Sequence, residues 1–194
     1  MLFRRVANWR ISILFIFTVC LLCSISETTF TQTVAKLTLR LRHPRLIIYK
    51  SRRLLEVYDG NALAKSYSVA LGKEPIGAKS REGDFKTPEG DFILTGKNPK
   101  SRYALSIAIN YPNDKSAISG LKEGLISKAE YRSILRANRL GVSPPQHTKL
   151  GGDVMIHGGG IGEDWTWGCI ALQNEDIREL YRALPIKTPI AIKP

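Results

Sequence analysis

Met155-Ile156-His157-Gly158-Gly159-Gly160-Ile161-Gly162-Glu163-Asp164-Trp165-Thr166-Trp167-Gly168-Cys169-Ile170-Ala171-Leu172 is the stretch on which the fold turns. The apolar run Val154-Met155-Ile156 delivers a histidine. A glycine-rich loop follows, an aromatic-flanked turn ends in Gly168-Cys169, and a second apolar run begins at Ile170. Short apolar runs bounded by glycine read as buried strands. His157 and Cys169 are therefore expected at strand ends, where loops present side chains to a ligand.

That pair has a chemistry. A cysteine nucleophile needs a base to raise its thiolate fraction, and an imidazole titrating near neutral pH supplies one. It needs donors for the oxyanion formed on an attacked carbonyl, and the backbone N–H groups of Trp167, Gly168 and Cys169 are the candidates. Gly168 lets the backbone come close to the reacting carbonyl. A lone histidine, a lone cysteine or the Gly158–Gly160 cluster would each mean little, and the cluster lacks the strand-to-helix setting of a dinucleotide loop. Their joint occurrence within thirteen positions, each at a strand end, is the signal.

Outward from this stretch the chain reads as many short strands. Leu37, Leu39 and Leu41 alternate with polar neighbours, a period of two. Strands are also expected at Leu46–Tyr49, Leu54–Tyr58, Ala62–Leu71, Asp91–Thr95, Tyr103–Asn110 and Thr188–Ile192. Asp59-Gly60-Asn61 is a hairpin turn, because Gly and Asn accept positive φ at low cost. Ser127 to Asn138 reads as a helix, with Ser127 as N-cap and Glu130 at its third position, and Asn174 as the cap of a last helix to about Leu184. The fold class is mainly β: a single sandwich or partly open barrel domain with a few helices.

The first 26 residues stand apart. Arg4, Arg5 and Arg10 precede an apolar run, Ile11 to Ile25, and Ser24-Ile25-Ser26 offers small residues for cleavage. This is the pattern of a secretory signal peptide, with an uncleaved N-terminal anchor as the alternative. The run is shorter than the roughly 20 residues of a membrane span. Cys20 and Cys23 follow Thr18-Val19 and Leu21-Leu22, which are bulkier than lipidation tolerates. Residues 27–44 are a linker and first strand, and 45–194 the functional domain. Cleavage after Ser26 would leave Cys169 as the single cysteine of three, with no internal partner for a disulfide.

The chain carries 29 basic and 17 acidic residues, a net charge of +12, of which the leader holds three. An exported basic protein is drawn to polyanions such as peptidoglycan or anionic lipid. Export and the lack of a recognition-helix or RNA-binding aromatic motif exclude nucleic acid. Membrane association is expected only through the N-terminal segment.

At this point the chain resembles the L,D-transpeptidase family, the YkuD-type catalytic domain. The resemblance rests on His157-Gly158 and on Thr166-Trp167-Gly168-Cys169-Ile170, with Asp164-Trp165-Thr166 and Ile170-Ala171-Leu172 similar to one subgroup. Lys86-Thr87-Pro88-Glu89-Gly90-Asp91-Phe92 and Asn110-Tyr111-Pro112-Asn113 resemble two upstream segments of that family. The resemblance implies an L,D-transpeptidase-like domain at 45–194 that acts on peptidoglycan stem peptides in wall construction and cell shape, without a cofactor. It implies Cys169 as nucleophile and His157 as base, supported by Gly168, Trp167, Thr166 and Gly158, and acylation of the thiol by carbapenems. The family's usual histidine before Gly-Cys is Trp167 here, which leaves His157 as the ring base. Residues 121–150 exceed a minimal domain and are expected as a lid or as surface padding, with His147 a surface residue.

Hydrolysis of the same thioester, a carboxypeptidase or amidase outcome, remains open from the residues alone. So does a non-catalytic wall-binding module. A zinc site of His147, His157 and Cys169 matches no known ligand spacing, so no metal is expected.

Overall fold

The computed structural model describes residues 41–194. The leader, the linker at 27–34 and most of the alternating stretch 37–42 lie outside the described residues. The described end of that stretch, Leu41-Arg42, is not strand. Asp59 holds this entry by accepting the N–H groups of Arg42 at 3.0 Å and His43 at 2.6 Å. The chain divides between Val34 and Ala35, and everything below concerns the second part. No helix among the described residues is long and apolar enough to cross a membrane.

The elements are β1 (Pro44–Tyr49), β2 (Leu54–Asp59), β3 (Ala62–Ser68), β4 (Gly90–Asn98), β5 (Ser106–Ile109), α1 (Asp114–Lys122), α2 (Lys128–Leu140), β6 (Met155–His157), β7 (Ile170–Ala171), α3 (Asn174–Ala183) and β8 (Pro189–Lys193). The strands expected from Leu46 onward are present, although those expected over 62–71 and 103–110 are shorter, ending at Ser68 and spanning Ser106–Ile109. The hairpin turn between β2 and β3 is present too, where Gly60 takes φ +60°. The capping box of α2 forms as read: Glu130 N–H donates to Ser127 Oγ, and Ser127 N–H donates to Glu130. Asn174 differs from expectation. Gln173 is the N-cap of α3, and the Asn174 side chain instead accepts the N–H of Gly159 at 3.0 Å. Helix α1, capped by Asn113, was not anticipated.

One eight-stranded sheet runs β3-β2-β1-β8-β4-β5-β6-β7. The β1–β8 and β6–β7 pairs are parallel and the rest antiparallel. The sheet curls until its two edges meet. Just past β3, Ala70 bridges Ala171, and Gly72 bridges Thr166. The mainly β, partly open barrel is thus the observed architecture.

The core follows from alternation. Leu46, Ile48, Leu55, Val57, Leu94, Ile107 and Ile156 are buried between the curled sheet and the apolar stripe of α3, Ile177 and Leu180. A smaller cluster of Ala117, Ile126, Ile134 and Leu150 joins α1 and α2 to the loop that leads into β6. Fully burying a side chain of this size contributes about 1.5–3 kcal/mol.

Candidate active site

Cys169 sits on the seam that closes the sheet, between the bridges at Thr166 and Ala171. On one side of it, Ala70 and Ala171 exchange N–H···O bonds of 2.9 and 2.8 Å. On the other, Thr166 N–H donates to Leu71 at 3.1 Å and Lys73 N–H to Thr166 at 3.0 Å. The tight turn between them is locked by one hydroxyl. Buried Thr166 donates from Oγ1 to the Cys169 carbonyl at 2.8 Å and accepts the Gly168 N–H at 3.1 Å. Gly168 has φ +129°, and a Cβ there would lie 2.6 Å from the Lys86 carbonyl oxygen. Only glycine fits both demands.

The Gly168 N–H, expected among the oxyanion donors, is therefore already taken. Among the described residues, the N–H groups of Trp167 and Cys169 donate to no protein acceptor. Trp167 is 76% exposed and packs edge-on against Phe85 at 5.8 Å.

His157 is buried at the end of β6. Its Nδ1 lies 2.6 Å from the Gly158 carbonyl, an acceptor only, so Nδ1 carries the proton and Nε2 offers a lone pair. The ring stacks on Tyr103 with centroids 4.6 Å apart and meets Trp165 edge-on at 5.5 Å. Trp165 is held in turn by donating to the Gly160 carbonyl at 3.1 Å. Gly158 has no room for a side chain, since a Cβ would lie 2.5 Å from Asn174 Oδ1 and 2.7 Å from the Tyr103 carbonyl. Burial pushes the imidazole below its ordinary pKa; the bond to Gly158 opposes this, and the Arg102 charge adds to it.

Cys169 is a free, partly buried thiol that donates to the Asp153 carbonyl at 3.4 Å. Burial lifts its pKa above the ordinary thiol range, and the Asp153 charge lifts it further. A backbone hydrogen bond at Met155 and the Lys79 ammonium pull the other way and do not win. Burial thus favours the uncharged form of both the thiol and the imidazole. Both face a cavity of about 660 Å³, together with Arg102, Tyr103, Trp165 and Thr166.

Exposed His147 is on the cavity wall, beside Gln146. Both belong to the segment 121–150, but no residue of α2 reaches the cavity. Helix α2 instead packs on α1, and Asn138 bonds to Asn110 at 3.0 Å and Asp114 at 2.9 Å. Any cover over the site thus narrows to the loop that follows the helix. Among the described residues, no group of three or more His, Cys, Asp or Glu side chains is placed to hold a metal ion.

The remaining motif residues brace this site. Asp164 receives Arg53 in a bidentate pair, Nε to Oδ1 at 3.2 Å and Nη2 to Oδ2 at 2.6 Å, and accepts the Leu71 N–H at 2.8 Å, tying the loop to the seam. Thr87 Oγ1 accepts the Gly72 N–H at 3.0 Å, and Glu89 pairs with buried Lys50 at 2.7 Å. Asn110 Oδ1 accepts the Ile93 N–H at 2.7 Å, which ties the residue just past β5 to the interior of β4. Sequence reading did not anticipate Arg102, Tyr103, Lys79 or Asp153 at the cavity. A signal for Tyr103 existed: it precedes an apolar strand, and antiparallel pairing of Ser106 with His157 carries it over the Gly158 turn.

Comparison with known proteins agrees with this architecture. YafK of Escherichia coli K12, whose own L,D-transpeptidase assignment is provisional, is 27% identical over 141 residues, 70% of this chain and 44% of YafK. The chain thus spans less than half the length of that relative. The crystal structure of the helical cell shape determining protein Pgp2 from Campylobacter jejuni superposes with a TM-score of 0.55 at 24% identity, covering 77% of this chain and 47% of Pgp2. Bdellovibrio bacteriovorus Bd1075 gives a TM-score of 0.48 at 23% identity, with coverage of 77% and 47%. Residues 43–192 match the family model of the YkuD L,D-transpeptidase catalytic domain, and the chain belongs to that family.

Proposed function

We propose that this chain is an exported peptidoglycan L,D-transpeptidase with Cys169 as nucleophile and His157 as its base. The observation that carries the reading is the pairing of two groups on one cavity: a free thiol, and an imidazole whose Nδ1–H is tied to Gly158 so that Nε2 can take a proton. The segment 1–26 acts as the export signal or anchor, and the partner is the stem peptide of the wall.

The steps follow from the resting protonation. As the thiol meets the carbonyl of the third stem residue, Nε2 of His157 takes its proton and the carbon–sulfur bond forms. The oxyanion is held by the N–H of Cys169, with that of Trp167 as second donor. Collapse breaks the carbon–nitrogen bond, and the departing D-Ala amine takes the proton from His157. An acceptor amine then loses its proton to His157, attacks the thioester and restores the thiol, which gives a 3→3 cross-link. Thr166, Gly168 and Gly158 fix the two turns on which these atoms sit.

The test is incubation with disaccharide-tetrapeptide and mass analysis of products. The expected products are D-Ala and a cross-linked dimer. Free tripeptide without dimer would make water the acceptor and the protein a carboxypeptidase. Cys169→Ala is expected to lose all turnover and stay folded. Turnover of that variant within tenfold of wild type would refute the assignment. Binding of wall fragments without turnover by the wild type would make the protein a binding module.

A further inference from the structure

Arg102 is a guanidinium with an unmet charge. It is exposed, lines the cavity of Cys169 and His157, and has no carboxylate partner among the described residues. The other lysine or arginine on that cavity, Lys79, is spoken for: it pairs with Asp84 at 2.8 Å and donates to the Arg81 carbonyl at 3.0 Å. Arg102 is also held in place. Its guanidinium carbon lies 5.0 Å from the centroid of Tyr103, and Tyr103 stacks on His157 at 4.6 Å. A stacked guanidinium presents its fork sideways, toward a planar anion. Its charge is felt at His157, which it helps to keep neutral. The cation is therefore close to the reacting centre without being consumed by the protein.

We infer that Arg102 receives a carboxylate of the donor stem peptide and so selects and orients the donor over Cys169. This rests on the reading of the substrate given above. A stem with its terminal D-Ala offers two carboxylates near the scissile bond, the terminal one and, where the third residue is a diamino diacid, the one on its side chain. Both are the same chemistry to a guanidinium. Arg102 is placed here as a binding residue, not a proton carrier.

The test uses binding, so that it does not depend on turnover. In a Cys169→Ala background, calorimetry measures the affinity for disaccharide-tetrapeptide with and without Arg102→Gln. A charge-assisted bidentate contact predicts a loss of about 10- to 100-fold. Arg102→Lys, which keeps charge but not the fork, falls between. Two modified ligands separate the sources: a terminal carboxamide and a side-chain carboxamide on the third residue. The one that removes the true partner weakens binding to the Arg102 protein by a similar factor and makes Arg102→Gln silent, as a double-mutant cycle requires. Thermal unfolding checks that the variant is folded. If Arg102→Gln changes the affinity less than threefold, or weakens all three ligands equally, the inference is overturned. If the Cys169→Ala protein binds no tetrapeptide, both this inference and the substrate reading fall. If it binds with the predicted Arg102 dependence while wild type releases no D-Ala, the carboxylate subsite stands and the catalytic reading falls.

Discussion

Thr166→Val is the sharpest test of how the site is held, because it changes one hydroxyl to a methyl at nearly constant volume. Thr166 is 3% exposed, so the replacement stays in a closed environment. It removes both bonds of the turn at once: the donation to the Cys169 carbonyl at 2.8 Å and the acceptance from Gly168 N–H at 3.1 Å. Each group left unsatisfied in a buried place costs about 1–3 kcal/mol. The Cys169 carbonyl can turn partly to water, whereas the Gly168 N–H is enclosed, so the expected sum is about 2–4 kcal/mol. For a domain of this size that lowers the unfolding midpoint by roughly 5–15 °C. Thr166→Ser keeps both bonds and gives up one methyl, a loss of about 1 kcal/mol. Function should divide the same way. A shift of the Cys169 N–H by even 1 Å is expected to slow acylation by tetrapeptide about 100-fold. Alkylation by iodoacetamide needs no oxyanion donor and should change little. Denaturant unfolding and the two rates measure all of this. If Thr166→Val is within 1 kcal/mol of wild type, or loses acylation and alkylation in equal measure, the turn is not held as argued.

His157→Ala should leave Cys169 sluggish toward alkylation near neutral pH and recover part of the loss at high pH, where the raised thiol ionises unaided; an unchanged profile would mean another base. The same residue makes stability pH-dependent: its folded pKa lies below the ordinary 6.5, so the unfolded chain binds its proton first and stability falls as pH drops below about 6.5. His157→Ala should remove that part of the acid sensitivity in unfolding measured between pH 7 and 4.5, and an identical slope would contradict the assigned burial. Leu150→Ala opens the small core beneath the loop that carries Asp153, at a cost of about 2–5 kcal/mol, and should slow acylation as well, read by intact mass against time; full acylation in a destabilised protein would mean that the loop is positioned from elsewhere.

What could be read from the sequence was local. The Asp59-Gly60-Asn61 turn declares itself because Gly60 needs φ +60°, and the Ser127–Glu130 box because both of its bonds close within four residues. His157 and Cys169 stood out as candidates because His157 ends one apolar run and Cys169 immediately precedes another. Helix α1 was not, since only Ala117 and Gly120 of its nine residues are buried and it shows little apolar periodicity. Long-range pairing was equally hidden. The parallel register of Leu46 on Ile190 joins the two ends of the described domain, and the Arg53–Asp164 pair spans 111 positions. The partners that brace the site are charged or polar residues whose role depends on that closure, and no spacing rule predicts it.

The closure also explains the resting state of the thiol. The seam leaves Cys169 partly buried, His157 is buried beneath Tyr103 and Trp165, and burial disfavours the charged form of each. A preformed thiolate–imidazolium pair would have to overcome both penalties, and Asp153 adds a third against the thiolate. On the proposed mechanism, the nucleophile is then formed during attack, as the thiol proton leaves for Nε2, and is not stored beforehand. A neutral thiol reacts slowly with oxidants and stray electrophiles. In the oxidising compartment that the proposed export implies, a lone cysteine kept protonated by its fold survives until a carbonyl is delivered to it. If the proposed function holds, reactivity is a property of the complex with substrate, and the geometry that would supply it is the Thr166 turn, the Gly158 turn and the cavity that Thr166, Cys169 and His157 line.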